Sequence, residues 1–134
     1  MRLVLDTNVL IAAFLTRGVC AELLEHVVRR HEPVISEFIL QEFERTLPKF
    51  NVTRLDAAAA ARLLSTRFSK VRPANLGERV SRDPQDDPVL GTAVAGRCAC
   101  LVTGDRDLLV LKAYRGIAIL APQQFWKFEA ERTP

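Results

Sequence analysis

The apolar positions of this chain fall into short unbroken runs, separated by stretches in which they recur every three or four residues. The short runs predict strands at residues 2–5, 34–35, 70–72, 99–103 and 116–120. An unbroken apolar run that is bounded by turn residues is typical of a strand buried on both faces of a parallel sheet. The chain is therefore expected to build its core around such a sheet.

Helices are predicted between these strands, at residues 7–15, 21–30, 36–47, 53–67, 87–96 and 106–111, with a short one at the tail. Ser36, Thr53 and Asp87 are residue types favoured at helix N-caps. Pro48 and Gly96 are natural helix stops. The helix boundaries are thus marked by local chemistry as well as by spacing.

Alternating strands and helices predict an α/β fold. We expect a three-layer sandwich in which a central, mostly parallel sheet of four to five strands is flanked by helices. The 134 residues suit one core, so a single domain over residues 1–134 is predicted.

Composition narrows the class of protein without naming an activity. Hydrophobic residues make up 49% of the chain and charged residues 26%, the ordinary balance of a globular protein. No stretch approaches the length of a membrane span, and Asp6 interrupts the first apolar run too early for a signal peptide. We therefore expect a cytoplasmic protein without a membrane partner. The net charge of +3 is weak evidence for a nucleic-acid partner.

Cysteine and histidine are not expected to carry the chemistry. The three cysteines lie in apolar surroundings and are predicted to be buried, reduced thiols. No spaced Cys/His pairs indicate a zinc site. His26 and His31 flank two arginines near a predicted helix end, where a cation is favourable without any further role. No Ser/His/Asp or Cys/His pairing, P-loop or dinucleotide fingerprint is evident.

Two of the apolar runs end in an aspartate, and this is the most informative feature of the chain. Asp6 follows the first run, and Asp105 follows the run at residues 100–104. If both runs are parallel strands, both carboxylates lie at the carboxyl edge of the sheet, where open α/β sheets place their active sites. Converging carboxylates cannot all stay ionised cheaply without a cation. A divalent-metal site is therefore predicted.

Glu42 is the third candidate ligand. Phe38 and Ile39 precede it by four and three residues, and Phe43 follows it, so Glu42 lies on or beside the apolar face of its helix. A buried carboxylate without a partner is expensive. A structural salt bridge to an arginine is one explanation, and a metal ligand is the one we favour.

Asp87 is the fourth candidate, although an N-cap needs no other role. Capping and metal binding can coexist, because a carboxylate has two oxygens. Asp83 and Asp86 beside it are expected to be solvated loop acids. Asp107 either caps the next helix or binds a metal through water.

Together, Asp6, Glu42, Asp87 and Asp105 would place a charge of −4 in one pocket. Mg²⁺ or Mn²⁺ takes oxygen ligands of this kind. One or two such ions would neutralise much of the charge, and a pair of ions can promote phosphodiester cleavage.

Four segments resemble, in order, the motifs of PIN-domain nucleases. They are residues 3–10 (LVLDTNVL), 36–43 (SEFILQEF), 83–90 (DPQDDPVL) and 101–109 (LVTGDRDLL). The order and spacing match over nearly the whole chain, and the likeness is nearest to small toxins of the VapC type.

This resemblance implies a PIN-like fold and an Mg²⁺- or Mn²⁺-dependent ribonuclease. It further implies a dimer that is silenced by a small antitoxin. On the resemblance Asp6, Glu42, Asp87 and Asp105 form the acidic quartet. Asn8 and Thr103 support it, and Asp107 is an accessory acid.

Two rival functions stay open at this point. A haloacid-dehalogenase-type phosphatase also begins with a strand ending in Asp, but it needs a second acid where this chain has Asn8. A PIN fold that has lost activity and only binds RNA or protein is the other rival. The presence of all four acids argues against it, since an inactive copy has no evident reason to keep their repulsion.

The long loop at residues 73–86 contains two prolines and a glycine, and it lies beside the third acid in sequence. Arg79 and Arg82 belong to this loop. We expect both arginines to contact the RNA backbone, because guanidinium groups suit bidentate phosphate contacts.

Overall fold

A six-stranded sheet forms the centre of the computed structural model, which describes residues 1–132. The strand order is β3-β2-β1-β4-β6-β5. The first five of these strands are parallel, and β5 runs antiparallel to β6. The strands are β1 (Arg2–Leu5), β2 (Glu32–Ile35), β3 (Ser69–Lys70), β4 (Cys100–Val102), β5 (Ala113–Tyr114) and β6 (Ile117–Leu120). The predicted domain over 1–134 extends two residues beyond the described part.

Seven helices flank this sheet in the described residues, as expected for an α/β fold. They are α1 (Thr7–Leu15), α2 (Val19–Arg30), α3 (Glu37–Thr46), α4 (Arg54–Arg67), α5 (Asp87–Ala95), α6 (Arg106–Leu109) and α7 (Phe125–Arg132). Three 3-10 turns, Leu47–Phe50, Pro84–Asp86 and Pro122–Gln124, connect or precede them. The predicted α/β class with a mostly parallel, helix-flanked sheet is confirmed.

The sheet has one more strand than the four to five expected from the sequence. β5 is only two residues long, and its pattern carries no alternation that sequence could reveal. It forms because Lys112 and Arg115, on either side of it, adopt left-handed backbone conformations with φ of 60° and 48°. These turns fold the chain back onto β6. The helix before them, α6, ends at Leu109 instead of residue 111.

The three central strands carry most of the core. Every side chain of β4, and all but the first of β1 and β2, is buried. Cys98 and Cys100 lie in this core, where burial raises the pKa of each thiol to about 12. All three cysteines are free as predicted, but Cys20 is only half-buried, so its predicted burial is wrong. A raised pKa keeps the Cys98 and Cys100 thiols protonated, which makes them small apolar residues rather than nucleophiles.

Parallel pairing brings the carboxyl ends of β1 and β4 together. The register places Leu5 opposite Val102, and the amide of Asp6 donates to the Val102 carbonyl at 2.9 Å. The next residues, Asp6 and Thr103, therefore emerge side by side. Ser36 leaves β2 at the same edge and caps α3, with its hydroxyl oxygen facing the Ile39 amide.

Within residues 1–132 no single helix is long and apolar enough to cross a membrane. Only α1 and α2 taken together, with a bend of 106° between them, reach the required length and composition, as core helices of globular proteins also do.

Gly91 allows α5 to pack against the loop that precedes it. A Cβ at this position would come within 2.5 Å of the Ala74 carbonyl oxygen, and the Ala74 amide donates to the Gly91 carbonyl at 2.9 Å. The helix and the loop backbone thus approach as closely as a hydrogen bond requires. The absence of a side chain at Gly91 serves this packing.

Changing Gly91 to Ala should lower the melting temperature. Helix propensity alone would raise stability by about 1 kcal/mol, but overpacking against a backbone carbonyl costs roughly 1–3 kcal/mol. Thermal unfolding followed by circular dichroism measures the balance. An unchanged or higher melting temperature would contradict the close approach of α5 and the loop.

Candidate active site

The carboxyl edge of the sheet borders a pocket of about 720 Å³ that is rich in acids. Five carboxylates line it, from Asp6, Glu42, Asp83, Asp86 and Asp105. They come from four separate parts of the chain, which the parallel sheet brings together. The pocket is therefore a product of the fold, and its dominant property is negative charge.

Asp6 is the most deeply placed of these acids, with 5% of its surface exposed. One carboxylate oxygen accepts a hydrogen bond from the Thr7 amide at 2.7 Å, which caps α1. The other accepts from the Thr103 hydroxyl at 2.7 Å and from the Asn8 side-chain amide at 3.3 Å. Asp6 is thus held in one orientation by groups from two strand ends.

Burial makes the ionised form of Asp6 costly. Loss of hydration is the largest effect on its pKa and raises it above the usual value, and the charges of Glu42 and Asp105 raise it further. The hydrogen bonds from Thr103 and Thr7 act in the opposite direction and do not fully compensate. A nearby cation would favour the ionised form.

Thr103 links Asp6 to Asp105. Its buried hydroxyl donates to Asp6 and accepts from the Asp105 amide at 3.0 Å. Asp105 in turn caps α6 by accepting from the Asp107 amide at 2.9 Å. Asn8 reinforces the link, because its carbonyl oxygen accepts from the Gly104 amide at 3.1 Å. Thr103 and Asn8 therefore lie where a supporting role was expected.

Glu42 projects from α3 into the same pocket. It is half-buried, and its neighbours Ile39 and Phe43 are fully buried on the core side of the helix. Among residues 1–132 no basic side chain forms an ion pair with Glu42. The structural salt bridge that the sequence left open is therefore not observed.

The sequence predicted Asp87 as a ligand at the start of α5, but the residue that lines the pocket there is Asp86. Both carboxylate oxygens of Asp87 accept backbone hydrogen bonds, from Val80 at 3.1 Å and from Ser81 at 2.8 Å. Asp87 thus secures the preceding loop and does not line the pocket. Asp86 is 7% exposed and lines it, so the expectation of a solvated loop acid at this position is wrong.

The exchange has a local cause. Asp87-Pro88 looks like an N-cap followed by proline, but Asp83-Pro84, four residues earlier, already begins a 3-10 turn. That turn runs directly into α5, so Asp87 is already helical and Asp86 occupies the position before it. The Asp-Pro pair at residues 83–84 is the sequence signal that could have identified the earlier start.

Asp86 resists ionisation more strongly than an ordinary aspartate. Burial is the main cause, and hydrogen bonding and charge from Asp105 add to it, so its pKa rises from 3.8 to about 7. A hydrogen bond from the Ser81 hydroxyl at 2.8 Å lowers the pKa only in part. Two carboxylates that share one site behave in this way.

The donor set fits a hard divalent cation. Asp86, Asp105 and Asp107 each offer an oxygen, and these oxygens lie within 4.8 Å of one another. The Thr7 hydroxyl, beside Asp6 in the chain, is buried and has no hydrogen-bond partner among the described residues. All donors are oxygens, the type preferred by Mg²⁺ and Mn²⁺.

Arg79 and Arg82, expected from sequence to contact RNA, are exposed on the loop before α5. The Arg79 guanidinium donates to the Arg82 carbonyl at 2.8 Å, and neither residue lines the pocket. Their contact with RNA stays a prediction.

Comparison with known proteins places this architecture. A family model described as a PIN domain matches residues 2–107. No curated protein matches the chain. Among solved structures, VapBC2 from Rickettsia felis bound to a DNA fragment from their promoter is similar, with 16% identity over 89% of this chain and 97% of that chain and a TM-score of 0.63.

Two further structures are similar in the same way. VapBC-1 from nontypeable Haemophilus influenzae has 16% identity over 92% of this chain and 99% of that chain, with a TM-score of 0.63. PAE2754 from Pyrobaculum aerophilum has 20% identity over 97% and 90%, with a TM-score of 0.64. At these identities the likeness shows the fold.

Asp86→Asn and Asp87→Asn should change stability in opposite directions. A carboxyl whose pKa is raised in the folded state binds more protons when folded, so the unfolding free energy falls as pH rises from about 4 to about 7. In EDTA, Asp86→Asn should therefore melt higher than wild type at pH 8, with the difference shrinking towards pH 4.

Asp87→Asn should melt lower than wild type at both pH values, because an amide nitrogen would face a backbone N–H. The cost of an unsatisfied donor is roughly 1–3 kcal/mol. Melting curves at the two pH values test both variants. If the melting temperatures of wild type and Asp86→Asn depend on pH in the same way, ionisation of Asp86 does not destabilise the folded protein.

Proposed function

The chain belongs to the PIN-domain family, and from this premise we propose that it is a metal-dependent endoribonuclease that hydrolyses RNA phosphodiester bonds. One observation carries the proposal: several carboxylates converge on one pocket at the carboxyl edge of the sheet, and no described basic side chain pairs with any of them. A purely structural cluster has no reason to accept this repulsion.

We propose Asp6, Glu42, Asp86 and Asp105 as ligands of one or two Mg²⁺ or Mn²⁺ ions. Asp107 would be an accessory ligand. The sequence prediction of Asp87 as a ligand is the alternative to Asp86. Bound ions would supply an activated water and stabilise the leaving oxygen, as in other two-metal phosphodiesterases.

Thr103 and Asn8 hold the Asp6 carboxylate in place, and Asn8 also argues against a phosphatase. Thr103 and Asn8 fix the orientation of the Asp6 carboxylate, so little rearrangement is needed when a ligand set forms. The Asn8 amide donates to Asp6 and accepts from Gly104, and an amide does not titrate, so Asn8 cannot serve as the second acid that a phosphatase would need. The family match likewise does not support the phosphatase reading.

The biological setting is proposed from the same family. Two of the similar structures are VapBC complexes, which supports a toxin of a toxin–antitoxin pair as the role of this chain. A small cognate antitoxin, a homodimer, a cytoplasmic location and a single domain over residues 1–134 belong to this proposal. A PIN fold that only binds RNA or a partner protein is the alternative that the cleavage assay separates.

The proposal is tested by cleavage of a structured RNA pool with the purified protein in Mg²⁺, Mn²⁺ or EDTA. Wild type should cut in either metal and not in EDTA. Asp105→Asn and Asp86→Asn should each lower the cleavage rate by at least about tenfold, which corresponds to a loss of about 1.4 kcal/mol in transition-state stabilisation. Asp87→Asn is the matched neighbour and should retain most activity in the cold, where it is folded.

Each outcome of this assay is informative. Loss of cutting in Asp87→Asn with full activity in Asp86→Asn would restore the sequence prediction of Asp87 as the ligand. Cutting that persists in EDTA would contradict metal dependence. Absence of cutting, together with intact metal and RNA binding, would favour the binding module.

A further inference from the structure

We propose that single-stranded RNA approaches the acidic pocket across the end of α3, with its phosphates on Arg45 and Lys49 and a base stacked on Phe50. This inference rests on the proposed function and adds the position of the substrate. The three residues belong to the C-terminal turn of α3 and to the 3-10 turn Leu47–Phe50. Arg45, Lys49 and the following Arg54 are called the basic rim.

The first reason is electrostatic. Arg45 and Lys49 line the same pocket as the five acids, yet neither forms an ion pair with any described residue. Both are exposed. A polyanion is repelled by an acidic pocket unless cations stand at its edge, and unpaired basic side chains can bind phosphate without first breaking a salt bridge.

The second reason is continuity. A neighbouring depression shares Arg45 and Lys49 with the acidic pocket and adds Arg54. Gln41, Glu44 and Pro48 complete its lining. The basic rim therefore extends away from the acids over the surface of α3 and the start of α4. Three cations face one acid, Glu44, in this depression, which suits a chain of phosphates.

The third reason is the exposed ring of Phe50. It lines the acidic pocket, and 51% of its surface is accessible. Its backbone is well anchored, because Leu47 of the same turn is buried and Asn51 ends the turn in a left-handed conformation with φ of 65°. No described aromatic ring packs against Phe50.

An exposed aromatic ring beside unpaired cations is the combination that binds single strands. Unpaired bases can stack on such a ring, whereas bases within a duplex cannot reach it. Arg79 and Arg82 are the competing site, but the hydrogen bond between them and their absence from the pocket lining favour the basic rim.

The test is binding of a short fluorescein-labelled single-stranded RNA, followed by anisotropy in EDTA so that metal-dependent cleavage is blocked. Phe50→Ala should weaken binding about tenfold, in keeping with loss of one stacked base. Phe50→Trp should retain affinity and add a tryptophan signal that RNA quenches. The double change Arg45→Ala and Lys49→Ala should flatten the log–log salt dependence by about 1.4, or about 0.7 for each lost phosphate contact.

Matched controls remove similar groups elsewhere. Leu63→Ala deletes an apolar side chain that is 50% exposed, and the double change Arg30→Ala and Arg67→Ala deletes two exposed cations, on α2 and α4, that form no ion pair with a described residue. Neither control should change the affinity for RNA by more than about twofold. The change in the log–log salt slope should be well below the value of about 1.4 expected for the Arg45/Lys49 variant. The double change Arg79→Ala and Arg82→Ala tests the loop directly.

The inference is wrong if Phe50→Ala binds RNA as tightly as wild type and the Arg45/Lys49 variant keeps the wild-type salt slope. It is also wrong if wild type does not bind RNA, or if wild type binds a duplex of the same sequence equally well. The proposed function fails separately. If wild type cuts RNA and the basic-rim variants bind RNA normally, the nuclease function stands and the basic rim is not the RNA-binding surface. If the basic-rim variants lose RNA binding and wild type never cuts, the basic rim binds RNA and the nuclease function is wrong.

Discussion

The hydrogen bond from the Thr103 hydroxyl to the Asp6 carboxylate is the contact on which the site depends. It joins the residues that follow two adjacent parallel strands, and it is completed by the Asp105 amide, which donates to the same hydroxyl. Because Thr103 and Asp6 are both buried, neither side chain can turn away without leaving a polar group unsatisfied. The sheet thereby converts strand register into a fixed separation of acids.

Because these carboxylates are held close together, the pocket lowers the stability of the folded protein when no cation is bound. Asp6 and Asp86 are buried among like charges, and the pKa of each is raised because hydration is lost and neighbouring carboxylates repel the ionised form. Without a cation, the folded state carries this unfavourable free energy at neutral pH. A ligand that binds only the folded state would recover it, so metal affinity and stability should be coupled. Basic groups at the pocket edge do not remove the cost, since Arg45 and Lys49 form no described ion pairs with the acids.

The placement of Asp6, Glu42 and Asp105 could be predicted because each follows from a regular pattern: two strand ends and one helix face. The choice between Asp86 and Asp87 could not, because it depends on a 3-10 turn that shifts the start of α5 by one residue, and a carboxylate's direction changes completely with such a shift. The two-residue strand β5 was also missed, since left-handed turns and not an apolar pattern create it. Regular periodicity predicted the frame, and tertiary contacts decided the details.

The central claim is that a divalent cation relieves repulsion in this pocket, and thermal unfolding of wild type and Asp105→Asn, each in EDTA and in Mn²⁺, tests it most directly. Asp105→Asn keeps the size of the side chain, leaves an oxygen to accept from the Asp107 amide, and removes one charge from the pocket. It should melt higher than wild type in EDTA and gain less from Mn²⁺, so that the difference narrows or reverses when the metal is present. Equal Mn²⁺-induced shifts in the two proteins would contradict the claim.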